Sequence, residues 1–538
     1  MGPGESTGDK AIVHVLNRIA FGPRPGDVER VRAIGIDRYI DQHLHPQRVA
    51  DPAMASRLSD LASIGMSSRE IAREYELPQL EARRQRKQNA GAPSGTEAPP
   101  SPLRPQGAVG GEPPKPDPLQ QKANGVIVEL AEQKVLRAIY SERQLEEVLT
   151  DFWFNHFNVD ARKGPTRFML TEYERETIRP HVLGKFRDLL EATAKSPAML
   201  FYLDNWMSAA AQPGTEVGRS DRQPPSPSPP RIARGPVGGR VVPGTEVGRW
   251  FGRPPSPTPG APQGKKAPKG LNENYGRELM ELHTLGVDGG YTQKDVTEVA
   301  RAFTGWTIQN PRQGGGFTFN PRLHDTGQKV VLGHVIKAGG GESDGEQVLD
   351  ILAREPATAR LIATKLARRF VSDTPPPALV DRAVARFRAT DGDLREVTRT
   401  ILTSPEFLAP ESYRAKVKTP FEFVVSAARA VGADVQEALP LVRQLQQLGM
   451  PLYQCQPPTG YKDTADAWVN TGALVSRMNF ALTLAGNKLR GVSVASLPTA
   501  DEVLVGDLSE TTRATIARAS DAQQMAALTL GSPEFQRR

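Results

Sequence analysis

The stretch Leu271-Asn-Glu-Asn-Tyr-Gly-Arg-Glu-Leu-Met-Glu-Leu-His-Thr-Leu-Gly286 carries the clearest structural signal in the chain. At 100° per residue, three apolar side chains fall on one face of a helix, namely Tyr275, Leu279 and Leu282. A neighbouring stripe carries Asn274, Glu278, Glu281 and Leu285. A carboxylate drawn into an apolar interior is costly unless it is paired, protonated or bound to a cation. The stretch therefore predicts a helix over 271–285 whose polar edge is either a buried network or a functional site.

Helical periodicity recurs along the chain and decides the fold class. It predicts helices over 11–18, 28–35, 38–43, 125–140, 145–157, 183–194, 295–303, 347–352, 357–371, 378–387, 394–402, 420–431 and 468–484. Capping boxes are predicted at Thr292-Gln-Lys-Asp295 and at Ser343 to Glu346. The strand signals are Phe317-Thr-Phe319 and Lys329-Val-Val-Leu332, which flank Asp325-Thr-Gly327 and predict one hairpin. We expect a mainly α protein, a multi-helix globular body with one small β-hairpin.

Two segments, 85–121 and 212–270, lack this periodicity and are rich in Pro and Gly. The second repeats itself, because Pro213-Gly-Thr-Glu-Val-Gly-Arg219 returns as Pro243-Gly-Thr-Glu-Val-Gly-Arg249. Such composition cannot bury a core, which predicts two disordered inserts. The alternative for the second insert is a docking strip for an SH3-like partner or an acidic surface. The inserts divide the chain into helical parts at 1–84, 122–211 and 271–538.

The net charge of +7 is a property of the second insert. Segment 212–270 holds ten Lys and Arg against three Asp and Glu, and the remainder of the chain holds 58 of each sign. The sequence therefore predicts no nucleic-acid partner, because the body has no basic surplus. No apolar run is long enough to span a membrane, and the first residues show no export signal. The expected location is cytoplasmic, or exported or periplasmic if the true N-terminus is longer.

His156 is the first candidate for a functional group. The helix predicted at 145–157 has an apolar face of Leu145, Val148, Leu149 and Phe152, and His156 lies within that face. A histidine among aromatic side chains is usually a hydrogen-bonded core residue. It becomes a proton carrier or a metal ligand when another helix brings a carboxylate to it. Both interpretations stay open.

The polar edge of the 271–286 stretch supplies the second set of candidates. Glu278 and Glu281 are candidate acid/base groups or metal ligands, and Arg277 is a candidate anion holder. The alternative is a surface ladder of ion pairs, since Glu273, Arg277 and Glu281 follow at four-residue intervals.

His324 and Asp325 form the third set, as candidate ligands of a divalent metal or of a substrate. Asp325-Thr-Gly327 is also ordinary turn chemistry, which is the alternative. The loop from Pro457 to Asp463 and the helix after it carry polar and aromatic residues that suit the lining of a cleft. The chain lacks the di-iron pair of Glu-x-x-His helices, and it has no P-loop, no G-x-S-x-G, no H-E-x-x-H and no Rossmann fingerprint.

Several ordered motifs resemble those of the bacterial family called domain of unknown function 1800. They are Asn17-Arg-Ile-Ala-Phe-Gly22, Phe152-Trp-Phe-Asn-His-Phe157, Met199-Leu-Phe-Tyr-Leu-Asp-Asn205, the 271–286 stretch, Ala302-Phe-Thr-Gly-Trp306, His324-Asp325, Lys418-Thr-Pro-Phe-Glu422 and the run from Pro457 to Asn470. The resemblance covers nearly the whole chain outside the two inserts. It implies a partner related to sulfatases, because members are often encoded beside such a protein, and it implies export signals, which this sequence does not show. It implies no established activity.

Two functions are therefore expected from the sequence. The first is a hydrolase-like enzyme or a ligand binder, with a cleft that joins His156 and His324 to Glu278 and Glu281. The second is a non-catalytic helical scaffold or partner-binding protein, in which the polar motifs are hydrogen-bond networks that fix the packing of helices.

Overall fold

A computed structural model of the chain describes residues 3–90, 117–210, 270–494 and 497–538. Most of the two predicted inserts, 91–116 and 211–269, lies outside the described residues, so the disorder and docking-strip interpretations stay predictions. The margins of the first insert are helical, which corrects its predicted bounds. Asp117 accepts a hydrogen bond from the Leu119 N–H at 3.1 Å, and Pro118 takes the first helical position. This N-cap starts a helix where the sequence reads as linker.

The described chain is mainly α-helical, as expected. Before the first gap lie α1 (Pro3–Ile19), α2 (Asp27–Ile34), α3 (Ile36–His43), α4 (Ala53–Arg57), α5 (Ser68–Ile71) and α6 (Leu77–Ala90). Between the gaps lie α7 (Pro118–Tyr140), α8 (Gln144–His156), α9 (Leu170–Glu172), α10 (Phe186–Lys195) and α11 (Pro197–Tyr202). After Gly270 lie α12 (Glu273–Glu278), α13 (Gln293–Ala302), α14 (Glu342–Arg354), α15 (Pro356–Phe370), α16 (Pro377–Ala389), α17 (Leu394–Leu402), α18 (Pro420–Ala430), α19 (Leu439–Gln447), α20 (Thr471–Ala485), α21 (Ala500–Leu504), α22 (Glu510–Ile516) and α23 (Ala522–Gly531).

The 271–286 stretch is helical from Glu273 to Thr284, and the second half of this helix, Leu279–Thr284, is a π turn. The Leu285 N–H donates to the Met280 carbonyl at 2.8 Å, five residues back. A π turn holds more residues than an α turn, so the side chains after Leu279 rotate away from the positions that a 100° step predicts. Tyr275 and Leu279 are buried as predicted, whereas Leu282 is only half-buried. His283 is buried in its place, so the predicted stripe is wrong at Leu282.

In the described part of the chain the strands form three two-stranded antiparallel sheets, and the predicted hairpin is wrong. Its two strands belong to different sheets: β1 (Trp306–Ile308) pairs with β2 (Phe317–Phe319), and β3 (Lys329–Val331) pairs with β4 (His334–Ile336). The third sheet joins β5 (Asp434–Val435) to β6 (Val492–Ser493). Leu332 and Gly333, with φ of 48° and 82°, make the tight turn between β3 and β4. Two successive positive φ values give the twist that a two-residue hairpin needs.

One of the two predicted capping boxes is confirmed. Thr292 accepts from the Asp295 N–H, and the Asp295 carboxylate accepts from the Thr292 N–H, at the start of α13. The box at Ser343 is wrong, because α14 begins earlier. Its N-cap is Gly341, which has a φ of 71°.

One continuous hydrophobic core joins the four described segments, from Ile12 in α1 to Phe535 after α23. Buried ion pairs cross it, among them Arg429 with Asp27 at 3.1 Å and Arg179 with Glu147 at 2.7 Å. This core brings the end of α8, the π turn and α15 together. Among the described residues, no helix combines the length and the apolar character that crossing a membrane requires.

Candidate functional site

The end of α8 is built from the aromatic motif Phe152-Trp-Phe-Asn-His-Phe157. Trp153 is fully buried and anchors the helix in the core. The His156 ring lies edge-on to Trp153 and to Phe157, with ring centroids 5.4 Å and 4.5 Å away. These contacts leave the two ring nitrogens of His156 as its polar surface. His156 is buried among aromatic side chains, as the sequence predicts.

Both ring nitrogens of His156 have partners. Nε2 lies 3.1 Å from the carbonyl oxygen of His283, and Nδ1 lies 2.9 Å from Nζ of Lys365. A carbonyl oxygen only accepts, so Nε2 carries the hydrogen and Nδ1 accepts from Lys365. Burial, followed by the nearby charge of Lys365, holds the pKa of His156 well below its usual range. His156 is therefore a neutral imidazole with a fixed tautomer.

Lys365 is a half-buried lysine on α15, and its amine contacts the His156 ring. Burial, with a smaller contribution from the Arg368 charge, lowers the pKa of Lys365 to about 8. Arg368 follows one turn later and donates to the carbonyl oxygen of Asp373 at 3.1 Å. Within the described ranges, no carboxylate forms an ion pair with Lys365 or with Arg368. In this part of the chain, the neighbouring cations Lys365 and Arg368 therefore have no carboxylate as an ion-pair partner.

These side chains line a cavity of about 370 Å³, which we call the His156 pocket. Its lining holds five basic residues, Lys134, Lys365, Arg368, Arg369 and Lys462, and two acidic residues, Asp151 and Asp463. Its aromatic and apolar lining comprises Phe152, Phe154, Met450, Leu452, Tyr453 and Tyr461, and its hydroxyl-bearing lining includes Thr419, Thr459 and Thr464. A partly apolar cavity with surplus positive charge suits a small organic anion.

The remaining cations of the pocket are already paired. Lys134 lies 2.7 Å from Asp151. Arg369 lies 2.5 Å from Glu422, which also meets Arg538 at 3.0 Å. Although burial opposes ionisation of Glu422, the charges of Arg369 and Arg538 lower the pKa of its carboxyl group to about 2. The unbalanced charge of the pocket is therefore concentrated at Lys365 and Arg368.

Two asparagines, Asn155 in α8 and Asn158 just after it, form hydrogen bonds to the loop that makes one wall of the pocket. Asn155 accepts from the Tyr461 N–H at 2.7 Å and donates to the Tyr461 carbonyl at 2.8 Å. Asn158 donates to the carbonyls of Cys455 and Pro457, each at 2.9 Å. The loop thus carries Thr459, Tyr461 and Asp463 to the pocket. The predicted cleft lining is found for the loop, whereas the helix after it, α20, contributes no residue to this pocket.

The carboxylates of the 271–286 stretch lie outside the lining of this pocket. Burial and the nearby charge of Glu281 raise the pKa of Glu278. Glu281 accepts a long hydrogen bond of 3.4 Å from the Tyr291 hydroxyl. No hydrogen bond or ion pair between described residues joins either carboxylate to His156. The stretch does reach His156, but through the main-chain carbonyl of His283. The acid/base roles of Glu278 and Glu281 stay predictions.

Arg277 does not form the ion-pair ladder offered as an alternative. Its guanidinium donates to the side-chain carbonyl of Gln293 at 2.8 Å. Glu273 accepts from Gln293 at 2.8 Å and from Thr297 at 2.9 Å. Contacts with α13 therefore replace contacts along α12, because the two helices pack side by side. The role of Arg277 as an anion holder stays a prediction.

His324 and Asp325 lie in a separate buried network. The ring of His324 has one nitrogen 2.8 Å from the Thr304 carbonyl and the other 3.2 Å from Asp344. Lys329 lies 2.7 Å from the same carboxylate. Asp325 makes two hydrogen bonds to Arg301, at 2.9 and 3.0 Å. Over the ranges that the structure covers, no three His, Cys, Asp or Glu side chains are grouped to hold a metal ion. The metal-ligand role of His324 and Asp325 stays a prediction.

No sequence pattern singles out Lys365 and Arg368 as functional residues. In the run Ala363-Thr-Lys-Leu-Ala-Arg-Arg-Phe370, basic residues at these spacings are typical of a solvated helix face. Only the packing of α15 against the end of α8 buries Lys365. A local pattern could not have identified it.

Comparison with known proteins gives a family and no activity. The model of the family described as "Protein of unknown function (DUF1800)" matches residues 14–537. No curated protein matches the chain. No solved structure matches it either. Because the match spans nearly its whole length, the chain belongs to the DUF1800 family.

Proposed function

We propose that this protein binds a small organic anion in the His156 pocket, and that it acts on this anion as a hydrolase-like enzyme or serves as its specific binder. One observation carries the proposal: Lys365 and Arg368 line the pocket as neighbouring cations without a carboxylate partner among the described residues. An anionic group between them would supply the missing counter-charge. Such a contact is strengthened by the burial of the site.

The chemistry available to the bound molecule follows from the state of Lys365. With a pKa of about 8, roughly a tenth of its side chain is the neutral amine at pH 7. A neutral amine is a proton acceptor suited to activating water in a hydrolysis. His156 is a positioning residue in this proposal, since its Nδ1 accepts an N–H of Lys365 and fixes the direction of the amine.

Binding is tested by thermal unfolding of the full chain with phosphate, sulfate, acetate and benzoate, each compared with chloride at equal ionic strength. We expect at least one anion to raise the Tm of the wild type, and Arg368→Gln to lose that rise. Arg360→Gln is the matched control, because Arg360 lies exposed on the same helix and pairs with Asp381 at 2.9 Å. Its response should equal that of the wild type. If the anion raised the Tm of Arg360→Gln and of Arg368→Gln equally, the proposal would be contradicted.

Measurement of turnover distinguishes an enzyme that hydrolyses the anion from a protein that only binds it. Para-nitrophenyl esters of phosphate, sulfate and acetate are suitable chromogenic probes. We expect Lys365→Gln to abolish any hydrolysis that the wild type shows. Glu278→Gln and Glu281→Gln test the second candidate pair, which with Arg277 lies outside the pocket. Loss of turnover in these two variants alone would show that the reaction takes place at Glu278 and Glu281, outside the His156 pocket.

The second candidate function is a helical scaffold, and the network around Asp344 favours it. His324, Lys329 and Asp344 are all buried, and His324 and Lys329 both contact the Asp344 carboxylate. Such a network fixes the packing of β3 on α14 without needing a ligand. Metal analysis of purified protein, with His324→Ala as the comparison, tests whether this site or Asp325 holds a divalent ion instead.

The partner and the compartment are proposals that rest on the family resemblance. A sulfatase-like protein is the proposed partner, and an exported or periplasmic location is proposed beside a cytoplasmic one. Co-purification of the tagged full chain with the sulfatase-like protein encoded beside it would support a scaffold role. An unchanged yield of that protein in an untagged control would count against it.

A further inference from the structure

We propose that Lys365 binds small α-oxo carboxylates covalently, as an imine between its Nζ and the carbonyl carbon of the ligand. This inference rests on the proposed function, and it names the class of anion that the His156 pocket takes. Its basis is the juxtaposition of three groups in one cavity: a buried amine, a guanidinium one helical turn away, and a neutral imidazole in hydrogen-bond contact with the amine.

The spacing of the two cations matches the ligand class. Lys365 and Arg368 are three residues apart on α15, so they project from the same face of the helix, and both line the pocket. An α-oxo carboxylate carries its anionic group on the carbon next to its carbonyl. When Arg368 holds the carboxylate, the carbonyl carbon is therefore brought toward the amine of Lys365. A planar guanidinium suits a carboxylate, which it can bind through two parallel hydrogen bonds.

The hydrogen bond to His156 leaves the amine able to react. Because Nε2 of His156 donates to the His283 carbonyl at 3.1 Å, Nδ1 can only accept, and it takes one N–H from Lys365 at 2.9 Å. A neutral amine that donates this hydrogen keeps its lone pair for a carbonyl carbon. Burial and a neighbouring cation are the two conditions that favour a neutral, nucleophilic lysine, and Lys365 meets both of them.

The step balances without an oxidant or a reductant. The Nζ lone pair forms a C–N bond, the carbonyl π electrons move to oxygen, and a proton passes from nitrogen to that oxygen to give a carbinolamine. The C–O bond then breaks, the oxygen leaves as water with a second proton from nitrogen, and the imine remains. Thr459 lines the pocket and offers a hydroxyl group to the departing oxygen.

The other two lysines of the pocket differ from Lys365 in ways that predict selectivity. Lys134 is held in an ion pair with Asp151 at 2.7 Å, so its amine already has a carboxylate partner. Lys462 is exposed, with 72% of its side chain accessible, and lies 3.6 Å from Asp466. Only Lys365 among these three combines burial with the lack of a carboxylate partner in the described chain.

The experiment is reductive trapping on the full-length chain. The protein is incubated with pyruvate, reduced with sodium borohydride and analysed by intact mass and by peptide mapping. We expect one reduced pyruvate adduct per chain, located at Lys365. Lys365→Arg keeps the positive charge but cannot form an imine, so it should lose the adduct. Lys462→Arg is the matched control and should keep it.

Two further arms decide what a negative result means. Arg368→Gln should reduce trapping of pyruvate, and it should leave trapping of the uncharged ketone hydroxyacetone unchanged. An adduct at another lysine, or none in the wild type while anions still raise its Tm, overturns this inference and leaves the proposed function standing. If no anion, pyruvate included, raises the Tm and no adduct forms, both fail together.

Discussion

Nδ1 of His156 lies 2.9 Å from Nζ of Lys365, although 209 residues separate them in the chain. This contact joins the aromatic motif of α8 to α15. The second ring nitrogen of His156 meets the main chain of His283, in the 271–286 stretch. Two sequence motifs and helix α15 thus meet at a single imidazole, and this meeting places the Lys365 amine in the pocket.

His156 should remain neutral throughout the mildly acidic range. Burial, Lys365 and His283 together hold the pKa of His156 well below its usual value, so we expect one tautomer, with the proton on Nε2, to persist below the pH at which an ordinary histidine becomes protonated. Nitrogen-15 NMR of histidine-labelled protein distinguishes the two ring nitrogens. A doubly protonated His156 ring at pH 6 would contradict the assignment.

The stability contributed by Lys365 should depend on pH in a defined direction. Its pKa is lowered to about 8 in the folded protein, so the unfolded chain binds the extra proton between that value and the ordinary lysine pKa. Folding stability from this group therefore rises as the pH rises through that window. We expect the free energy of unfolding of the wild type, relative to Lys365→Met, to increase by about 2–3 kcal/mol from pH 7 to pH 10.

Denaturant unfolding at several pH values measures this difference. Lys462→Met is the control, because Lys462 is exposed on the rim of the same pocket, and its difference from the wild type should stay constant. A difference for Lys365→Met that is flat with pH would show that its amine is not desolvated in solution.

The loop fastened by Asn155 should tolerate little change at Gly460. This glycine has a φ of 72°, and a Cβ there would lie 2.2 Å from the Asn155 carbonyl oxygen. Gly449 has a φ of 85° but no atom within 4 Å of such a Cβ. Gly449→Ala should therefore destabilise by about 1 kcal/mol from backbone strain alone. Gly460→Ala adds a main-chain clash, and we expect a loss of about 3 kcal/mol or more.

Thermal or denaturant unfolding of the two glycine variants tests this pair. Gly460→Ala should also weaken anion binding, because the loop carries Tyr461 to the pocket, whereas Gly449→Ala should not. Equal destabilisation by the two substitutions would mean that the loop moves away from α8 at little cost.

Glu278→Gln and Glu422→Gln should have opposite effects on the free energy of unfolding. Burial and then Glu281 raise the pKa of Glu278, so its ionised form is disfavoured in the fold and Glu278→Gln should be neutral or stabilising at pH 7, by less than about 1 kcal/mol. Arg369 and Arg538 lower the pKa of Glu422 to about 2 against the effect of burial. Glu422→Gln leaves these buried cations without their carboxylate and should destabilise by about 3–5 kcal/mol.

Unfolding of Glu278→Gln and Glu422→Gln, each compared with the wild type at several pH values, tests this prediction. The advantage of Glu422 over glutamine is present above the ordinary glutamate pKa and should disappear as the pH falls from there through about 2. Any advantage of Glu278→Gln should instead disappear as the pH falls below the raised pKa of Glu278. A loss of more than about 1 kcal/mol in Glu278→Gln at pH 7 would assign that carboxylate to a stabilising network.

Part of the site could be read from the sequence because local patterns encode it. His156 stands out in the aromatic motif, and the loop from Pro457 to Asp463 stands out by its composition. The partner of His156 could not be read in this way. A lysine at position 365 fits a solvated helix face as well as a buried one, and only its neighbours in space decide between them.

The sequence by itself determined the mainly helical class, most of the helix positions, the capping box at Thr292 and the aromatic surroundings of His156, because these depend on residues a few positions apart. The tertiary structure alone decided which strands pair, that Leu279–Thr284 makes a π turn, and that Lys365 meets His156. Which strands pair depends on which of the possible turns between them forms. The π turn rotates each later side chain away from the 100° pattern. The environment of Lys365, and with it the basicity of its amine, arises only when helices distant in the chain pack together and exclude water.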